Sequence, residues 1–118
     1  MAIRDKYMSN ETTIFSDFIK NQLYHYIAKD LEYCYEYDWN NMKGFVWSDN
    51  SNWNDSIIKL YVGFDNTQNE YRFIIFDKEN FEFISYNNSN IVELYNHCKE
   101  NIGMIGYAIN CAIEDGMN

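Results

Sequence analysis

The sequence predicts an α+β domain: an antiparallel three- to four-stranded meander sheet, flanked by an N-terminal helix and a C-terminal helix prone to a kink or break. Three observations carry this prediction. A helical apolar stripe comes first, alternating segments separated by short polar loops follow, and a second helical stripe closes the chain. At 118 residues the chain is expected to be a single domain, 1–118, with room for one core.

In the first helix Phe15, Ile19, Leu23, Ile27 and Leu31 recur every fourth residue, with Phe18, Tyr26 and Cys34 widening the stripe. Thr13 can cap its start. The spacing predicts a helix from Thr13 to Tyr33, after a short lead from Met1 to Glu11. Tyr33, Tyr35, Tyr37 and Trp39 then recur at every second position, with Glu36 and Asp38 in the gaps and Glu32 just before them. In an extended chain this stretch has an aromatic face and a carboxylate face. If the helix instead runs on through Tyr37, the alternation scatters around the cylinder.

Residues 38–56 are dense in Asn and Asp, which favour turns through bonds to their own backbone. Within them Lys43 to Ser48 reads as a short strand with Phe45 and Trp47 on one face. The sheet proper is expected at Ile57–Phe64, Glu70–Phe76 and Phe81–Tyr86, joined by short polar loops. The second of these is apolar on both faces, so it asks for cover on both sides. Some of that cover is open to a partner. Asn87 to Asn90 should stop the sheet and start a helix, Asn90 capping it with Glu93 at the third position. Its stripe of Ile91, Leu94, Cys98, Ile102, Ile105, Ile109 and Ala112 is interrupted by Asn101, Gly103 and Gly106, where a break or a close backbone contact is expected. The tail from Glu114 to Asn118 should fray.

The composition narrows the function. Apolar residues make up 47% of the chain and aromatics 19%, which argues against disorder. No apolar run reaches membrane-span length, and the N-terminus lacks a signal-peptide core, so a cytoplasmic location is expected. The three cysteines, Cys34, Cys98 and Cys111, are too widely spaced for a disulfide framework or zinc site and read as inert thiols. His97 beside Cys98 on a helix points about 100° away from it, so the two form no dyad by sequence. There is no G-x-S-x-G, H-E-x-x-H or phosphate loop. The reading is therefore no enzyme, no cofactor and no metal.

The formal charge is −9, the wrong sign for gripping phosphates, so no direct nucleic-acid binding and no membrane association are expected. The charge is uneven. Residues 30–55 hold six acidic residues against one basic, while residues 1–29 carry a slight positive excess. The aromatic–acidic stretch has two readings. In one, the rings join the core or its rim and the carboxylates form a solvated face. In the other it is a binding surface for a basic protein partner, with Glu32, Tyr35, Glu36, Asp38 and Asp49 as the contacts and rings as anchors. Carboxylates two residues apart on a strand lie about 6.6 Å apart and present a row of negative charge to a groove built for phosphates.

The run I-K-L-Y-V-G-F-D-N-T-Q-N-E-Y-R-F-I-I-F, Ile58 to Phe76, resembles the hairpin of a small acidic phage anti-CRISPR protein, where N-E-Y also opens a strand after an Asn/Asp turn. S-N-I-V-E-L-Y, Ser89 to Tyr95, resembles the start of its next helix. The resemblance covers about a third of the chain. These inhibitors mimic DNA and block the type II CRISPR effector nuclease, so the resemblance implies a partner whose Arg-rich site normally holds the PAM-bearing duplex. The class has no shared catalytic motif, and no residue roles carry over. An immunity protein or antitoxin that masks a basic nuclease toxin shares the same acidity and lack of catalysis. An acidic housekeeping domain is the third reading.

Overall fold

In a computed structural model of the chain, residues 13–117 are described. The expected lead, Met1 to Glu11, and the last residue of the expected tail lie outside them. Helix α1 spans residues 13–25: a short α-helical stretch, a wide π turn over Phe18–Gln22 and a tight 3₁₀ turn over Leu23–His25. Then come β1 (Tyr33–Trp39), β2 (Met42–Ser48), a 3₁₀ turn (Trp53–Asp55), β3 (Lys59–Asp65), β4 (Glu70–Phe76), β5 (Glu82–Asn88), α2 (Ile91–Glu100) and α3 (Ile102–Met117). The strands form one antiparallel sheet in sequence order, β1-β2-β3-β4-β5.

The α+β class and the meander hold, with five strands where three to four were expected. The added strand is β1, built from the aromatic–acidic stretch whose conformation, extended or continued helix, the sequence leaves open. The first helix stops at His25 instead of Tyr33 because Asn110 of α3 clasps the chain just beyond it. Asn110 Nδ2 donates to Tyr26 O and its Oδ1 accepts from Ala28 N, both at 2.8 Å, so these groups leave the helical ladder. Gly106 supplies the close approach: a Cβ there would sit 2.5 Å from Tyr26 Cβ. Leu31 keeps its place in the core from a non-helical segment.

Three of the strand connections are tight turns made by asparagine and aspartate. Asn40, Asn69 and Asn80 adopt positive φ (56°, 55° and 67°), the left-handed conformation that Asn tolerates best after Gly. Asp65 Oδ1 accepts from Thr67 N and Gln68 N, and Asp77 Oδ1 from Glu79 N and Phe81 N, so each closes its own turn. Asn90 caps α2 through Val92 N and Glu93 N as expected, while Asn87 and Asn88, expected to end the sheet, continue β5. The C-terminal helix breaks at Asn101, whose Nδ2 donates to His97 O at 2.8 Å. Its expected frayed end is helical through Met117, with Lys78 Nζ donating to Gly116 O at 3.4 Å.

Among the described residues, helices cover only one face of the sheet. There Phe15, Phe18, Ile19 and Leu23 of α1, Leu94 and Cys98 of α2, and Ile105 and Ile109 of α3 bury Trp47, Leu60, Val62, Phe73 and Ile75. The opposite face holds a second, smaller core of Met42, Val46, Tyr61, Ile74 and Phe76. β4 thus has the double cover its pattern demands. Gly44 and Gly63 face each other across β2 and β3 on this second face. A Cβ on Gly63 would lie 2.8 Å from Tyr61 Cε2 and 2.9 Å from Tyr61 Oη, so glycine lets that ring lie along the sheet.

Two glycine substitutions should therefore act in opposite directions. Gly63→Ala is expected to lower unfolding free energy by about 1–3 kcal/mol through overpacking. Gly103→Ala, where nothing lies within 4 Å of the added Cβ, should raise it by about 0.4–1 kcal/mol. Urea titration of both variants checks the pair.

Candidate partner-binding edge

β1 is an edge strand, paired with β2 through all seven residues from Tyr33↔Ser48 to Trp39↔Met42. It is extended, so its two-residue alternation separates side chains between faces. Tyr35, Tyr37 and Trp39 are half-buried on the helix-free face and pack against the second core. Glu36 and Asp38 project on the other face and are exposed. Of the five sequence-derived contacts, these two share a face of one strand. Tyr35 lies on the opposite face, Glu32 precedes the strand, and Asp49 follows β2.

The aromatic side is locked by ring contacts. Tyr37 stacks on Trp53 at 5.1 Å and 23°, while Trp39 meets Phe76 edge-on at 5.3 Å and Tyr61 at 6.4 Å. Trp53, from the 3₁₀ turn, also packs on Phe76 at 5.5 Å. Tyr61 Oη donates to Tyr37 O at 2.9 Å, tying β3 to β1 across the intervening strand. Burial pushes the Tyr61 phenol well above its ordinary value, and the charge of Asp38 adds to the shift. Burial also raises the Tyr35 phenol, with the Ser48 hydroxyl acting the other way.

At the far end of this face Lys59 is fully buried. Its Nζ donates to Asn80 Oδ1 at 2.7 Å and Asp77 O at 3.2 Å, and lies 5.3 Å from the Trp53 ring centre. Burial lowers its pKa, while the carboxylates of Asp77, Asp49 and Glu79 hold against that shift. Lys59 thus clips the β4–β5 turn to the Trp53 turn. Nothing in the strand pattern marked it as interior, and only the two acceptors brought in by the Asn80 turn make its burial tolerable.

The carboxylates divide by what they touch. Asp49 Oδ1 accepts from Ile57 N (2.9 Å) and Ile58 N (3.1 Å), fixing the entry to β3. Among the described residues Glu32, Glu36 and Asp38 have no hydrogen bond or ion pair through their side chains. Lys43 stands opposite Asp38 in the ladder without closing an ion pair. Asp30, which the sequence reading passed over, is exposed beside Glu32 on the rim of an open groove of about 310 Å³, lined also by Lys20, Tyr24 and Leu31.

Cys98 is fully buried, which pushes its thiol far up, and the His97 ring lies 4.5 Å from that of Tyr86, tilted by 32°. Among the described residues no group of three or more His, Cys, Asp and Glu is placed to hold a metal ion, and no helix is long and apolar enough to cross a membrane.

Stability should separate the two kinds of carboxylate. Asp49→Ala leaves two backbone N–H groups without their acceptor and should cost about 1–3 kcal/mol. Glu36→Gln and Asp38→Asn should each change stability by less than about 0.5 kcal/mol. Thermal or urea unfolding of the three variants reads the difference.

No protein-family model matches the chain, and no curated protein or solved structure shows significant similarity to it.

Proposed function

We propose that the protein works by occupation: it is an acidic inhibitor that binds a basic nucleic-acid-binding protein and occludes its DNA site. In its most specific form it is a phage anti-CRISPR protein acting as a DNA mimic on a CRISPR effector nuclease in the host bacterial cytoplasm. The observation that supports this reading best is the exposed set Glu32, Glu36 and Asp38 on and beside one edge strand, unpaired among the described residues. A protein that used these groups for its own stability would pair them, as it does Asp49, Asp65 and Asp77. Left free, they offer charge to a partner, and the rings behind them hold the strand in place.

Such a surface acts mainly through Coulomb attraction to Lys and Arg, so binding should be steered and salt-sensitive. Exposed pairs contribute about 0.2–1 kcal/mol each. Removing three charges is therefore worth about tenfold in affinity.

The test uses a purified type II CRISPR effector loaded with guide RNA, with binding measured at low and high salt. The expected result is tight binding at low salt, competition by PAM-containing duplex, and about tenfold weaker binding for the Glu32→Gln, Glu36→Gln, Asp38→Asn triple variant. Binding that is unchanged by salt and by the triple variant would rule out DNA mimicry. A basic nuclease toxin captured in place of the effector would move the reading to an immunity protein.

A further inference from the structure

Among the described residues, the outer side of β1 is an open ladder. All seven residues pair inward with β2, and among the described residues no strand pairs on the other side. In an antiparallel ladder, alternate residues point their N–H and C=O away from the partner strand. Counting from the two-residue turn after Trp39, the outward residues are Cys34, Glu36 and Asp38. Two of these three, Glu36 and Asp38, also carry side-chain charge that has no ion-pair partner among the described residues.

β1 also lacks most of the devices that normally blunt an edge. It has no proline, no lysine and no bulge, whereas the β4–β5 pairing at the opposite edge shifts register between Ile75 and Phe76. Its charge is what selects an occupant. Two copies pairing antiparallel through β1 would set Glu36 and Asp38 against carboxylates of the other copy, and like charges directly opposite are destabilising. A cationic strand meets the opposite situation.

We infer that the outer edge of β1 binds an extended cationic segment of its partner by strand addition, with basic and apolar residues alternating. This inference rests on the acidic-inhibitor reading above and gives it a mode of binding. Basic side chains at every second position fall beside Glu36 and Asp38, because directly opposed residues lie about 4.5–5.5 Å apart at Cβ. The residues between them fall on the other face, beside the half-buried rings of Tyr35, Tyr37 and Trp39. Lys43, opposite Asp38 on the inner side, competes for that carboxylate, so Glu36 is the stronger of the two contacts. The ligand is thus defined by pattern as well as by charge.

The probe is a synthetic octapeptide of alternating Lys and Val, compared with an isomer in which the four Lys and four Val form two blocks. Residue-resolved amide exchange by NMR is read on the full chain at low salt. With the alternating peptide, the amides of Cys34, Glu36 and Asp38 should exchange at least about tenfold more slowly, while those of Tyr35 and Tyr37 change little. The block isomer should bind about fivefold or more weakly, and Glu36→Gln should weaken the alternating peptide more than Asp38→Asn does. Cys34→Pro removes one outward N–H without touching a carboxylate and should also weaken binding.

Equal binding of both peptides with no slowing at the three amides would overturn strand addition while leaving an acidic binding surface intact. Slowing that survives Glu36→Gln at full affinity would overturn the cationic requirement. Absence of binding by the alternating peptide overturns the inference as a whole.

Discussion

The sheet has two apolar faces and, among the described residues, helices on only one of them. Everything distinctive about the molecule follows from how the other face is closed. Val46, Tyr61, Ile74 and Phe76 need cover, and the chain supplies it from its own edge strand and one short turn: Tyr35, Tyr37, Trp39 and Trp53. Each ring pair adds about 0.5–1.5 kcal/mol beyond the area it buries. Because these rings sit at alternate positions of a single strand, burying them fixes the facing of that entire strand. A slip of one residue would put Glu36 and Asp38 over the second core, at the cost of stranding charge without a partner.

Burial of the rings and exposure of the carboxylates are therefore one event. The bland and the functional readings of residues 32–39 are not rivals in this architecture. The aromatics are structural, and their placement leaves Glu36 and Asp38, among the described residues, unpaired beside an open row of backbone groups. Tyr61 links the two sides: its hydroxyl holds Tyr37 O from one face, and its phenol feels the charge of Asp38 from the other. Glycine at position 63 is the condition for that ring to lie flat. Asp49, by contrast, is an acid whose charge is spent on two amides, and its place in a contact surface is limited by that task.

Much of this was legible in the residues. The three strands from β3 to β5, the cap at Asn90 and the break at Asn101 follow from local patterns that tertiary structure leaves unopposed. The Tyr-x-Tyr-x-Tyr-x-Trp alternation carries the facing of β1 in full once the strand exists. Whether it is a strand or more helix stays open in the sequence, because Ile27 and Leu31 continue the fourth-residue spacing of α1 and mimic more helix. What ends the helix is Asn110, more than eighty residues downstream, clasping Tyr26 and Ala28, and no local signal reports such a contact. Lys59 was hidden for the same reason. It alternates like a surface residue, and only the fold brings Asn80 and Trp53 over it.

The central claim is that β1 is a strand paired on one side and, among the described residues, open on the other. Residue-resolved amide exchange in the free protein tests it most directly. The account predicts alternation along one strand: Tyr35 and Tyr37 exchange slowly, bonded to β2, while Cys34, Glu36 and Asp38 exchange fast. Uniformly slow exchange from Cys34 to Asp38, or a helical pattern of protection through Tyr37, would contradict it.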